Sequence, residues 1–206
     1  MKKIDLIDFG TGNLFSIIGA LRYLGAELNV VSRKGDFSGA GLIVLPGVGA
    51  YPAAMKTLKS NDIQRELQYK VSCGIPILGI CLGMQLLFEK SYEFEACKGL
   101  GLLSGEVTPL PSLSIDGLSL RIPHVGWSQV TFEGNGSSPL VGGLMQEDYY
   151  FVHSLSAITQ DSLGFVEFGG HKITAYAEKK NIFGCQFHPE KSGDAGLHML
   201  ESFINL

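Results

Sequence analysis

Apolar positions along the chain follow two rhythms. In the first part, short apolar runs alternate with helix-spaced ones. "KIDLIDF" (Lys3–Phe9) reads as a strand and "GTGN" as a turn. Leu14, Ile17, Ile18, Leu21 and Leu24 then share one helical face, which Gly25 closes. "ELNVVS" predicts a second strand. "GLIVLP" (Gly41–Pro46) predicts a buried third, followed by the loop "GVGAY". Pro52 suits the first turn of a helix, and Asn61 suits the cap of another that carries Ile63, Leu67 and Val71. "IPILGI" (Ile75–Ile80) is a fourth strand. This alternation implies a parallel sheet covered on both faces.

From about Leu102 the rhythm shortens. "EVTPL", "LSLRI", "SQVTF", "YYFVHS", "KITAYAE" and "IFGCQF" read as short strands, with "EKKN" as a hairpin turn between the last two. They predict a mixed or antiparallel extension of the same sheet. A last helix, Ala195 to Asn205, places Leu197, Leu200 and Ile204 on one face. No linker, repeat or low-complexity segment interrupts the chain, so residues 1–206 are expected to form a single α/β domain.

Composition narrows the class. The chain is 45% hydrophobic over 206 residues, enough for a substantial core. No apolar run reaches the ~18 residues of a membrane span. Met1-Lys2-Lys3 resembles the start of a signal sequence, but Asp5 and Asp8 break any apolar stretch after it. A cytoplasmic protein with no membrane partner is expected. A net charge of −4 without a basic cluster argues against nucleic acid. Cys73, Cys81, Cys97 and Cys185 form no CxxC pair, so reduced thiols are expected rather than a metal site or redox pair.

Cys81 stands apart. It lies between two glycines, Gly79-Ile80-Cys81-Leu82-Gly83, after a buried strand and before an apolar helix. G-x-C-x-G in that setting is the nucleophile-elbow pattern with Cys for Ser. The glycines permit a sharp turn. The turn lifts the thiol to the carboxyl end of the sheet, where open α/β folds place their sites. The helix that starts at Leu82 favours a thiolate through its positive end, and the Leu82 N–H can face a developing oxyanion.

A thiol nucleophile needs a base, and the base an orienting group. "CQFHPEKS" supplies both at a predicted strand end. If the extended geometry continues, His188 and Glu190 project to the same side. Pro189 stops the strand from running on. "LPGVGAY" (Leu45–Tyr51) offers backbone N–H groups from the third strand as a second oxyanion donor. "GTGN" (Gly10–Asn13) is half a dinucleotide fingerprint. Phe15 stands where the third glycine belongs and no acidic partner follows, so no cofactor is expected there.

Together, "GICLGMQLL" and "QFHPEKS" resemble the class I, triad-type glutamine amidotransferases. "IDFGTGNL", "LPGVGAY" (where most of that superfamily carries Pro-Gly-Gly), "IPHVGWSQV" and "YYFVHS" resemble the branch that serves imidazole glycerol phosphate synthases in histidine biosynthesis. The likeness runs over essentially the whole chain.

The resemblance implies a flavodoxin-like three-layer sandwich. Its central sheet would be mostly parallel, with an antiparallel extension and a Cys elbow. It implies a glutaminase in which Cys81 attacks the side-chain amide of L-glutamine, with His188 as acid and base and Glu190 as orienter. Val48, Gly49 and Leu82 would form the oxyanion hole. Gly47, Gln85, Glu93 and Ser154 would hold the substrate. Asn13, Trp127 and Lys191 would lie at the partner face and the mouth of an ammonia passage. The partner would be a TIM-barrel cyclase subunit, in a heterodimer. No metal or organic cofactor is implied. In this family the oxyanion loop is thought to sit wrongly until the partner binds.

Two positions depart from the pattern. Ser128 follows Gly-Trp where Asn is expected, and Leu155 follows His153-Ser154 where an aromatic is common. They keep open a related glutaminase that feeds surface-polysaccharide sugar amination. Other readings are a Cys-elbow protease or hydrolase and a silent regulatory subunit. Leu82 stands where such proteases carry His, the acid follows the histidine rather than preceding it, and all three triad residues are present.

Overall fold

A computed structural model of the chain describes residues 2–10, 14–133, 138–142 and 146–206. Its first half runs β1 (Lys3–Ile7), α1 (Leu14–Tyr23), β2 (Glu27–Val31), β3 (Leu42–Leu45), α2 (Tyr51–Ser60), α3 (Ile63–Ser72), β4 (Ile77–Ile80) and α4 (Leu82–Leu87). The second half runs β5 (Lys90–Ser91), β6 (Cys97–Lys98), β7 (Glu106–Pro109), β8 (His124–Phe132), β9 (Gln146–His153), β10 (Leu155–Ile158), β11 (Ser162–Phe168), β12 (His171–Lys179), β13 (Ile182–Cys185) and α5 (Gly193–Ile204).

Nine strands form the main sheet in the order β2-β1-β3-β4-β13-β12-β11-β8-β9. The first five are parallel, in the doubly wound arrangement of flavodoxin-like folds. β12, β11, β8 and β9 continue the sheet antiparallel, as the shortened rhythm predicts. A small sheet, β10-β7-β5-β6, sits beside it.

β3 and β4 are buried at every residue, which only a sheet covered on both faces allows. α1 and α5 cover one face, with Ile17, Leu21, Met199, Leu200 and Phe203 in the core there. α2, α3 and α4 cover the other, through Met55, Leu58, Leu67, Met84 and Leu87. Among the described residues no helix is long and apolar enough to cross a membrane.

The structure corrects several boundaries. "LSLRI" is not a strand; among the described residues its only β-pairing is a single bridge between Leu113 and Ser119. Leu118 and Ile122 are left exposed. "SQVTF" is the last part of a longer strand beginning at His124. Asn61 does not start α3. It ends α2 and gives its side-chain N–H to the Ser32 carbonyl, while Asp62 at φ 55° precedes α3. In α5 the buried face is Gly196, Met199, Leu200, Phe203 and Ile204, with Leu197 at its edge.

β11 has no counterpart in the sequence reading. Gly164 and Glu167 break its apolar run, yet a Cβ at Gly164 would lie 2.8 Å from the Tyr176 Cβ, so the strand needs that gap to pack. The "EKKN" turn forms as expected, with Lys180 at φ 57° between paired Lys179 and Ile182.

Candidate active site

Cys81 ends β4 and precedes α4. Its backbone sits at φ 54° and ψ −112°, a combination that costs a non-glycine residue about 1–3 kcal/mol. The flanking glycines do not carry this strain, since neither has a positive φ. They are needed for close approach instead. A Cβ on Gly83 would run into the Leu45 carbonyl, and one on Gly79 would lie 2.7 Å from the Gly83 carbonyl oxygen. α4 therefore lies directly on β3 and β4, and the cysteine takes up the turn.

β13 runs parallel to β4 with Cys185 opposite Ile80. The Cys81 N–H donates to the Cys185 carbonyl at 2.8 Å. Three residues beyond the strand end, His188 arrives beside the thiol. His188 Nδ1 lies 2.8 Å from Glu190 Oε1. The carboxylate accepts, so Nδ1 carries a hydrogen and Nε2 is the nitrogen left to exchange a proton with Cys81. This contact is not made in extended backbone, because Pro189–Lys191 is a 3-10 turn. The turn is pinned by Ser192, whose Oγ donates to the His188 carbonyl at 2.6 Å and accepts the Tyr150 N–H at 3.0 Å.

Among the described residues, neither His188 Nε2 nor Glu190 Oε2 has a hydrogen-bond partner. Burial pulls His188 toward neutrality, but the Cys81 sulfur and then Glu190 overcome it and raise its pKa to about 9. A histidine this basic is suited to keep a proton taken from Cys81.

Above the thiol lies a cavity of about 270 Å³. Val48, Gly49, Cys81, Leu82, Gln85, Glu93 and Ser154 all line it. Sequence reasoning did not assign Pro123, Val152, His153 and Leu155, which line it too. Glu93 accepts the Tyr51 N–H at 2.6 Å, tying the cavity wall to the start of α2.

Gly47 is placed differently. Its carbonyl accepts the Leu82 N–H at 3.3 Å, so that N–H is directed at the loop rather than into the cavity. Gly49, at φ 104°, continues the loop, and Val48 is exposed.

Gln186 was also missed. It is fully buried, and its side-chain nitrogen lies 3.7 Å from Cys81 Sγ. A period-two count back from His188 along the strand could have found it. Trp127 is 58% exposed on β8 and meets Tyr150 edge-on at 6.2 Å; the Lys191 ammonium lies 5.8 Å from the same tyrosine ring. Asn13 lies outside the described residues.

The class-I glutamine amidotransferase family matches residues 5–206. The imidazole glycerol phosphate synthase subunit HisH of Lactococcus lactis is 44% identical over 99% of this chain and 98% of that protein. HisH of Bacillus cereus is 43% identical over 97% and 93%, and HisH 1 of Legionella pneumophila 38% over the whole of both. Solved structures agree on the fold. PurLQS from Thermotoga maritima superposes with a TM-score of 0.77 at 21% identity, covering 99% of this chain and 98% of that one. A glutamine amidotransferase crystal structure superposes with a TM-score of 0.74 at 19% identity, covering 98% and 99%. The chain belongs to the class-I glutamine amidotransferases, in the branch of the HisH subunits of imidazole glycerol phosphate synthase.

Proposed function

We propose that the chain hydrolyses L-glutamine at Cys81 and delivers the ammonia to a TIM-barrel cyclase subunit, with which it forms a heterodimer in the cytoplasm. The observation that carries this reading is the His188–Glu190 contact of 2.8 Å set beneath a strained cysteine on the cavity floor. His188 Nε2 takes the thiol proton. The sulfur attacks the side-chain amide carbon of glutamine, and the tetrahedral oxyanion needs backbone N–H donors. His188 returns the proton to the departing nitrogen as ammonia leaves and a thioester remains. Water, deprotonated by His188, then releases glutamate and frees the thiol.

In this reading Glu93 and Ser154, which line the cavity, receive the amino-acid end of glutamine, and Gln85 flanks it. For Leu82 to serve as oxyanion donor, the Gly47 carbonyl must give up its N–H. The resting loop is thus closed on itself, which fits a glutaminase that waits for its partner. Trp127, Tyr150 and Lys191 form the exposed face next to the base and mark where ammonia passes to the synthase.

The test is synthesis of imidazole glycerol phosphate by the reconstituted complex. Cys81→Ala should lose glutamine-dependent synthesis and keep synthesis from added ammonium salts. Loss of both would make Cys81 structural and end this reading.

A further inference from the structure

A chain of polar side chains links the nucleophile to the surface strand β8, and one backbone atom sets the direction of every hydrogen bond in it. That atom is the Leu155 carbonyl oxygen, which can only accept. His153 Nδ1 lies 2.8 Å from it and so carries a hydrogen. A neutral His153 then accepts at Nε2, and His124 Nδ1 donates to it across 3.0 Å. His124 Nε2 must in turn accept, from Ser128 Oγ at 2.9 Å. His124 and His153 are directly paired across β8 and β9, and His124 stacks on Phe151 at 5.1 Å between ring centres.

On the other side the Gln85 amide nitrogen also donates to the Leu155 carbonyl, at 3.4 Å, and gives its second hydrogen to Gln186 Oε1 at 2.9 Å. That fixes the Gln186 side chain with its nitrogen toward Cys81 Sγ at 3.7 Å.

The histidines hold these directions while neutral. Burial chiefly drives His153 down to about 4; its bond to Leu155 opposes this, and His124 and His188 add to it. Burial lowers His124 as well.

We propose that Gln186 is a further catalytic residue, which donates its amide N–H to the Cys81 sulfur, and that Gln85, His153 and His124 are positioning residues that aim it. The proposal rests on Cys81 being the nucleophile. In the resting state the thiol points at the Val152 carbonyl, 3.8 Å away. That oxygen can take the hydrogen of a thiol but offers nothing to a thiolate. Once the proton has moved to His188, the imidazolium Nε2–H and the Gln186 amide N–H are the donors left for the thiolate, and a donor bound to an anion is about twice as strong as one bound to a neutral group.

The charged or titratable groups around Cys81 are His188 and Glu190 in the turn after β13, Cys185 on β13, Glu93 across the cavity and His153 on β9. None of these groups is itself altered in the Gln186 variants.

The experiment is the rate of Cys81 alkylation by iodoacetamide as a function of pH, located by mass spectrometry, with glutaminase kinetics alongside. In Gln186→Met the onset of alkylation should move about 1 pH unit higher, the size expected for one hydrogen bond to an ionised group. Glutaminase kcat should fall about tenfold with KM for glutamine little changed. In His124→Phe, which leaves Gln186 itself untouched, the onset should move the same way by less.

An unchanged onset in a folded Gln186→Met chain overturns the proposal. If that variant does not fold, Gln186→Leu asks the same question, since it removes the N–H without placing a new charge beside the sulfur. Its onset should also rise, and a fixed onset there is equally fatal. A Cys81 that resists alkylation in the unaltered chain would instead remove the nucleophile, and with it the reading on which the proposal rests.

Discussion

At the scale of single residues, the proton on His188 decides when the site works. Burial opposes that proton; Cys81 and Glu190 hold it, with the folded value near 9 against 6.5 for a free histidine. Departing ammonia needs this proton, so kcat/KM for glutamine should fall as pH rises through about 9. Glu190→Gln takes away one of the two supports. The falling limb should move to lower pH and the plateau drop by ~10²-fold, the low end for acid–base assistance. Glutamate release measured from neutral to alkaline pH checks both. The same raised value has a sign for stability. His188 contributes fully below its unfolded value of 6.5, and the contribution disappears as pH rises to about 9 and beyond. Urea midpoints should decline across that window in the unaltered chain and less in His188→Gln. The triad was legible because a thiol between glycines and a His-Pro-Glu turn are chemically conspicuous. Gln186 was harder to see, since only its two-residue spacing from His188 points to it and a glutamine among apolar neighbours does not show that its amide meets sulfur.

At the scale of elements, two short segments around the elbow have different tasks. The loop at Gly47–Gly49 holds the Leu82 N–H, and Val48 limits how it can turn. A β-branched residue resists positive φ at a cost of order 1–3 kcal/mol. Val48→Gly should therefore raise the basal glutaminase rate of the isolated chain and shrink the stimulation by a partner; an unchanged ratio would mean the loop is not the switch. α4 shows the opposite requirement. Gly83→Ala should destabilise by about 1–3 kcal/mol, because the added Cβ meets backbone at Leu45 and not a side chain that can move. Gly19→Ala at an exposed position of α1, where a Cβ meets nothing within 4 Å, is the matched control and should be neutral or stabilising in a thermal melt. The strand-and-helix alternation of the first half was legible because each element has its own period. "LSLRI" misled because alternation reports a half-buried surface only when a ladder neighbour exists, and here only one bridge forms.

At the scale of the whole molecule, activity is expected to depend on a second chain. Adding a saturating synthase subunit should raise glutamate release at least ~10²-fold, the worth of one oxyanion donor; full activity of the isolated chain would contradict the closed loop. The parallel core and its antiparallel extension were legible in outline. The place of β13 between β4 and β12 was not, since strand order is set by pairings over long sequence separations. That place matters to a chain as it is made. The nucleophile is complete once the elbow has emerged, but its neighbour in the sheet, and the histidine carried beyond it, are synthesised much later than the elbow. Closing that central pairing is a late, long-range step, the slow kind in folding. Until it closes, the nascent chain carries a lone thiol with no base beside it. Glutamine consumption is therefore withheld from a chain cut before His188.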